Sequence, residues 1–195
     1  MGTGGAEWAA LPFPEPTLPL CSRAEVLLGY LDYFRSVVVS KLRDLPDAEL
    51  RSSRVPSGWT PVGLLKHLTH VELRWLVWGF EGEAVAQPWG DERDGRWHVA
   101  PDETLDGLLD RLERQARRTR SVVERHELDE VGRPGPRWEG APPPTLERVL
   151  LHLVQEYARH AGHLDIVREL VDGQVGEDPP VVRGEGAQRP GAGPG

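Results

Sequence analysis

The sequence predicts an all-α protein, a four-helix bundle with a long connection between its second and third helices. Three observations carry that expectation. Apolar residues recur at helical spacing in four separate segments. Each segment opens on a residue suited to capping a helix. No comparable run alternates apolar and polar residues with the two-residue period of a strand.

The first segment starts at "SRAE", where Ser22 can cap and Glu25 stands three residues on, the spacing of a capping box. Leu27, Leu31, Phe34, Val38 and Leu42 continue the stripe to about Asp44. The second begins at "WTPVGLLKHL", with Thr60 as N-cap and Pro61 in the first turn. It runs to about Phe80, where "EGEAVAQPWGDERDGRW" breaks it. A connection of about twenty residues that carries Trp89 and Trp97 is long for a small bundle. It either covers a site or caps one end of the core.

After "APDET", where Asp102 or Thr104 can cap, Leu105, Leu108, Leu109, Leu112, Ala116 and Val123 mark the third segment. "GRPGPRWEGAPPP" forbids a helix until Thr145 caps the fourth. Leu146, Val149, Leu150, Leu153, Tyr157, Leu164, Val167 and Val171 follow, and Gly173 takes the usual C′ position. The expected organisation is therefore a flexible Pro-rich segment over 1–19, a helical domain over 20–173 and a disordered Gly/Pro-rich tail over 174–195.

Composition excludes several function classes. A hydrophobic share of 38% beside 28% charged residues describes an ordinary globular chain. No run approaches the roughly 18 apolar residues that span a bilayer. The N-terminus lacks the basic and apolar regions of a signal peptide, and Ala6 breaks the myristoylation pattern. The cytoplasm is the expected location, with no membrane partner. Net charge is −8, and arginines alternate with acidic residues, so no basic stripe offers itself to nucleic acid. A single cysteine, Cys21, excludes an intrachain disulfide and a Cys-rich zinc site, and reads as a small apolar residue. Two lysines against twenty-one arginines, one isoleucine and no asparagine indicate a GC-rich genome.

The chemistry concentrates in "QEYARHAGHLDIVREL". At about 100° per residue, His160 falls inside the apolar stripe of the fourth helix and Glu156 at its edge. A carboxylate there is costly unless paired or coordinated. Side chains four apart on a helix are neighbours and can share one metal ion. A third donor must come from elsewhere, and "LLKHLTHVE" offers His67 at the border of the second helix's stripe. His70 lies well outside that stripe and reads as solvated. Two imidazoles and a carboxylate suit zinc, and also nickel, iron or manganese. Three protein ligands leave a coordination position open, the pattern of a catalytic site. His163, one turn from His160, is a candidate catalytic acid/base or an orienting partner. His152 forms a competing pair with Glu156 but lies further from the stripe. His98 and His126 carry no assignment.

"GWTPVGLLKHLTHVE", followed some eighty residues later by "EYARHAGHLDIVRELVDG", resembles the DinB-like superfamily. The likeness is greatest to its branch of mini-circle proteins and domains of unknown function, and it covers residues 20 to 173. It implies a four-helix bundle holding a divalent metal on three side chains. The histidine of the second-helix motif matches His67. The first histidine of the H-x-G-Q/H signature matches His160 in "HAGH". The middle ligand, four residues earlier, is histidine in many members. In the mycothiol-dependent maleylpyruvate isomerase it is glutamate, which matches Glu156. The resemblance further implies a transferase or isomerase that uses a low-molecular-weight thiol such as mycothiol, acting on a small-molecule substrate, and a homodimer. A metal-dependent hydrolase and a non-catalytic metal- or ligand-binding bundle are the alternative readings.

Overall fold

The computed structural model describes residues 11–14, 16, 19 and 22–175. The expectations for Cys21, for most of the N-terminal segment and for nearly all of the tail fall outside them. The described chain is mostly helical. Helix α1 spans Arg23–Arg43, a short α2 spans Asp47–Leu50, and α3 spans Pro61–Glu72, continuing over Leu73–Phe80 with wider π-helical turns. A small hairpin pairs β1 (Glu92–Arg93) with β2 (Arg96–Trp97). Then come α4, Leu105–Arg125, and α5, Leu146–Asp172.

Local chemistry sets most of these boundaries. Ser22, Thr60 and Thr104 each accept a hydrogen bond from the backbone N–H three residues on, satisfying a donor that the helix leaves open. Thr145 occupies the N-cap position of α5 but makes no side-chain cap. The first N–H groups of α5 instead reach the carbonyls of Glu130 and Leu128, because residue 145 bridges to Val131 in the preceding loop. Gly173 closes α5 at φ 72°, a left-handed conformation that glycine adopts without a Cβ penalty.

The wide turns after Glu72 have an identifiable enabling residue. A Cβ on Gly79 would stand 3.0 Å from the carbonyl oxygen of Arg74, five residues earlier. Glycine therefore permits an approach that any larger residue would resist. Periodicity reasoning takes one helix from Thr60 to Phe80 and misses this change of pitch.

Helix α1 lies along α5, and α3 along α4, with Leu31, Leu42, Leu64, Leu68, Leu112 and Leu153 fully buried among them. At the centre is a carboxylate. Glu72 is completely buried and accepts from Arg35 Nε at 3.0 Å and Nη2 at 2.7 Å, from Thr119 Oγ1 at 2.6 Å and from Tyr157 OH at 2.6 Å. One side chain from each long helix thus meets in one network. Its pairing with Arg35 and the two hydrogen bonds on each oxygen offset the cost of placing a carboxylate in the core. Burial and the Glu72 charge hold the Tyr157 phenol well above its usual range, so it stays a donor.

The connection from α3 to α4 folds back over α3. Arg74 grips it by donating to Asp91 Oδ1 at 2.5 Å and to the Pro88 carbonyl at 3.0 Å, with its guanidinium 4.3 Å from the Trp89 ring centroid. Lys66 adds a second anchor, donating to the His98 carbonyl at 3.0 Å and to Glu103 at 2.8 Å. Sequence reading finds no strand here, yet Asp94 (φ 54°) and Gly95 (φ 71°) form a tight hairpin turn. "DG" is the residue pair that such a turn demands.

Candidate metal centre

His67 comes from α3, and Glu156 and His160 from one face of α5. Their donor atoms all lie within 4.8 Å of one another. Glu156 Oε2 is 3.4 Å from His160 Nε2 and 3.9 Å from His67 Nε2. Two donors each about 2.1 Å from one ion at a tetrahedral angle stand about 3.4 Å apart. The three groups therefore need little movement to share a cation, and a neutral-imidazole and carboxylate set suits a divalent one. Burial, reinforced by the neighbouring His67 and His163, holds the His160 imidazole at about 3, so it is neutral and offers a lone pair at neutral pH.

The remaining nitrogens are also occupied. Asp91 Oδ2 lies 3.0 Å from His67 Nδ1. Burial pushes the Asp91 carboxyl up, but hydrogen bonds from His67 and Arg74 outweigh it and keep the group ionised. A carboxylate there accepts the Nδ1 proton and turns Nε2 toward Glu156 and His160. Asp91 and Glu92 could themselves form a second donor group with His67. Asp91 is already committed to Arg74, however, and Glu92 is exposed, so the α3–α5 triad is the better centre. On α5, His160 Nδ1 is 3.1 Å from His163 Nδ1.

Two tryptophans pack beside the histidines of the centre. Trp97 stacks on His67 with ring centroids 4.1 Å apart and meets His160 edge-on at 5.3 Å. Trp59 stands 6.0 Å from His163. Between the indoles runs a cleft of about 180 Å³, bounded also by Ser57, Gly58, Gly95 and Arg96; the three donors lie behind the indoles and do not line it. A larger depression of about 640 Å³ opens beyond the hairpin, lined by Lys66, Trp89, Arg93 and Arg111, but none of the three donors lies in its wall.

His152 takes no part in the triad. Its Nε2 is 3.9 Å from the other Glu156 oxygen, and its ring packs 4.3 Å from Trp75. The solvated role expected for His70 is wrong: it is half-buried, its Nδ1 is 3.8 Å from Asp91 Oδ1, and burial lowers its pKa. The hairpin turns the chain back over that face of α3 and covers it. His98 lines the larger depression, while His126 packs edge-on against Phe80 and pairs with Glu130.

Asp91, Trp97 and Arg74 are the site residues that periodicity does not reveal. The "DG" turn is the signal that could have found the first two, since it places "WGDERDGRW" back on α3. No curated protein matches the chain. A family model described as mycothiol-S-transferase matches residues 26–173.

Proposed function

Because the chain belongs to the mycothiol-S-transferase family, a DinB-like family, we propose that it joins a low-molecular-weight thiol to an electrophilic small molecule. The proposed centre is a divalent-metal site made by His67, Glu156 and His160, with mycothiol or a close analogue as the thiol. The observation that carries this reading is the convergence of the three donors from two helices within 4.8 Å. Zinc suits the donor set first, and nickel, iron or manganese after it. A cation bound there supplies Lewis acidity, which lowers the pKa of a thiol and keeps it as the nucleophilic thiolate at neutral pH.

The chain's own residues prepare that chemistry. Asp91 holds the His67 proton on Nδ1, so the Nε2 lone pair points to the centre. For His160 to present Nε2 in the same way, its Nδ1 must carry the proton and donate it to His163 Nδ1. That hydrogen bond uses the one lone pair of a neutral His163. Of the two roles open to His163, orienting His160 is therefore the better supported. Trp97, stacked on His67, and Trp59, 6.0 Å from His163, set apolar indole faces beside the centre. In the transfer, the thiolate sulfur attacks an electrophilic carbon, and an S–C bond forms as the leaving group departs with its electron pair.

The reading includes a DinB-like four-helix bundle over 20–173, supported by the way Arg35, Glu72, Thr119 and Tyr157 draw the four long helices together. It includes a homodimer, supported by exposed Leu151, Ile166 and Leu170 on α5. It includes a cytoplasmic setting, where such thiols are held reduced, and no helix among the described residues is long and apolar enough to cross a membrane.

Metal content by mass spectrometry, beside His67→Ala and Glu156→Ala, tests the centre. We expect near one equivalent in the wild type and background in both variants. Transfer is tested by conjugation of mycothiol to an alkyl halide. Turnover of esters without any thiol would replace the transferase reading with a hydrolase.

A further inference from the structure

The α3 extension carries a second cluster that neither the triad nor its approach uses. The Arg137 guanidinium lies 4.3 Å from the Trp75 ring centroid, 5.5 Å from Trp78 and 5.2 Å from Trp138. Among the described residues, Arg35, Arg74, Arg118 and Arg168 each hold a carboxylate. Arg137 holds none, and its Nε is buried without a hydrogen-bond partner. Burial and the nearby Arg74 charge both disfavour its charged form. Three aromatic faces offset part of that cost by cation–π attraction, but they leave the planar N–H fork unfilled.

The arrangement is built, not incidental to a loose loop. Trp138 Nε1 donates to the Gly79 carbonyl at 2.9 Å. A Cβ on Gly79 would stand 3.1 Å from both Arg137 Cδ and Trp138 Cζ2, so the glycine that permits the wide turn also seats these two residues. π-Helical turns recur at functional sites. The cluster also connects to the centre. Arg137 lies against Trp75, Trp75 packs on His152 at 4.3 Å, and His152 Nε2 is 3.9 Å from Glu156 Oε1.

We propose that Arg137 is a substrate-binding residue that receives a carboxylate of the electrophilic co-substrate, beyond Trp75 and His152 from Glu156. A guanidinium fork matches a carboxylate in two parallel hydrogen bonds. A monoanion fits better than a phosphate dianion, because Arg74, the nearby cation, already has its guanidinium engaged by Asp91 and offers no second fork. The inference names the substrate class for the transferase reading and rests on it.

Its test uses paired probes that differ only in charge. Binding of benzoate and of benzamide is followed by tryptophan fluorescence in the wild type, Arg137→Gln and Arg137→Lys, with circular dichroism to confirm folding. Conjugation of mycothiol to iodoacetate and to iodoacetamide is measured on the same proteins. The wild type should prefer each carboxylate by about tenfold or more. Arg137→Gln should erase the preference by a loss on the acids larger than any on the amides, and Arg137→Lys should restore it in part. Equal handling of acid and amide by the wild type, or a preference that survives in Arg137→Gln, overturns the proposal. If no thiol is transferred yet benzoate binding still depends on Arg137, the transferase reading fails and the anion site stands. Transfer without any dependence on Arg137 gives the reverse result.

Discussion

Replacing Glu72 with glutamine changes one atom and removes the charge on which the core network is centred. Arg35, 1% exposed, would keep its own charge with only the partly exposed Asp32, 2.8 Å away, as an anionic partner. The Tyr157 and Thr119 hydroxyls and two Arg35 N–H groups would compete for a single amide oxygen, and the new NH₂ would face donors. Breaking a buried ion pair from one side costs about 3–5 kcal/mol. The amide retains one acceptor, so a loss of about 3 kcal/mol is expected. At about 2–4 °C per kcal/mol for a domain of this size, the melting temperature should fall by about 6–12 °C. Urea denaturation followed by tryptophan fluorescence measures it, with an unchanged slope showing that the same surface is exposed. The double variant Glu72→Leu/Arg35→Met removes both charges and should recover part of the stability, the Thr119 and Tyr157 hydroxyls being left without their acceptor. A loss below about 1 kcal/mol in Glu72→Gln, or a double variant less stable than the single, would refute the argument that charge pairing governs this core. Tyr157 follows Glu156 directly and stands three residues before His160 on the same helix, so Glu72→Gln should also weaken metal retention.

Three further predictions follow from the same contacts. Asp91→Asn keeps the side-chain shape but weakens the hold on the His67 Nδ1 proton, and zinc affinity by chelator competition should fall about 10–100-fold. In the metal-free protein, His160 takes up its proton near 3 when folded but near the ordinary 6.5 when unfolded. Its stability contribution is therefore complete above pH 6.5 and is lost as pH falls toward 3, by at most about 1.4 kcal/mol per unit. His70 and His152, also lowered by burial, act in the same direction. Thermal melts between pH 7.5 and 5 should show the decline, and a flat profile would contradict it. Gly95→Ala places a Cβ in open space but at φ 71°, so the cost is confined to the backbone, about 1 kcal/mol by urea denaturation.

How much of this was legible before the structure depends on which rule each segment obeys. The long helices were readable because Ser22, Thr60, Thr104 and Gly173 mark ends that apolar periodicity alone leaves vague. His67, Glu156 and His160 stood out because they break the pattern, polar groups placed where a helix should bury apolar ones. Asp91 gave no such signal, being one acidic residue in a polar stretch whose partners arrive only through tertiary contact. Glu72 was hidden for the opposite reason: it follows Val71 at an ordinary helical position, and its three partners lie on other helices. The wide turns after Leu73 escaped because a hydrophobic run such as "LRWLVWGF" fits any helical pitch.

The hairpin has a consequence for anyone who would remodel this protein. Its arm supplies Asp91 to one nitrogen of His67, and its second strand supplies Trp97 to the face of the same ring. Trp97 also lines the cleft beside the centre. A loop exchange meant to alter which molecules enter would thus alter how firmly an ion is retained. Chimeras between relatives should inherit the two properties together from whichever parent donates this hairpin.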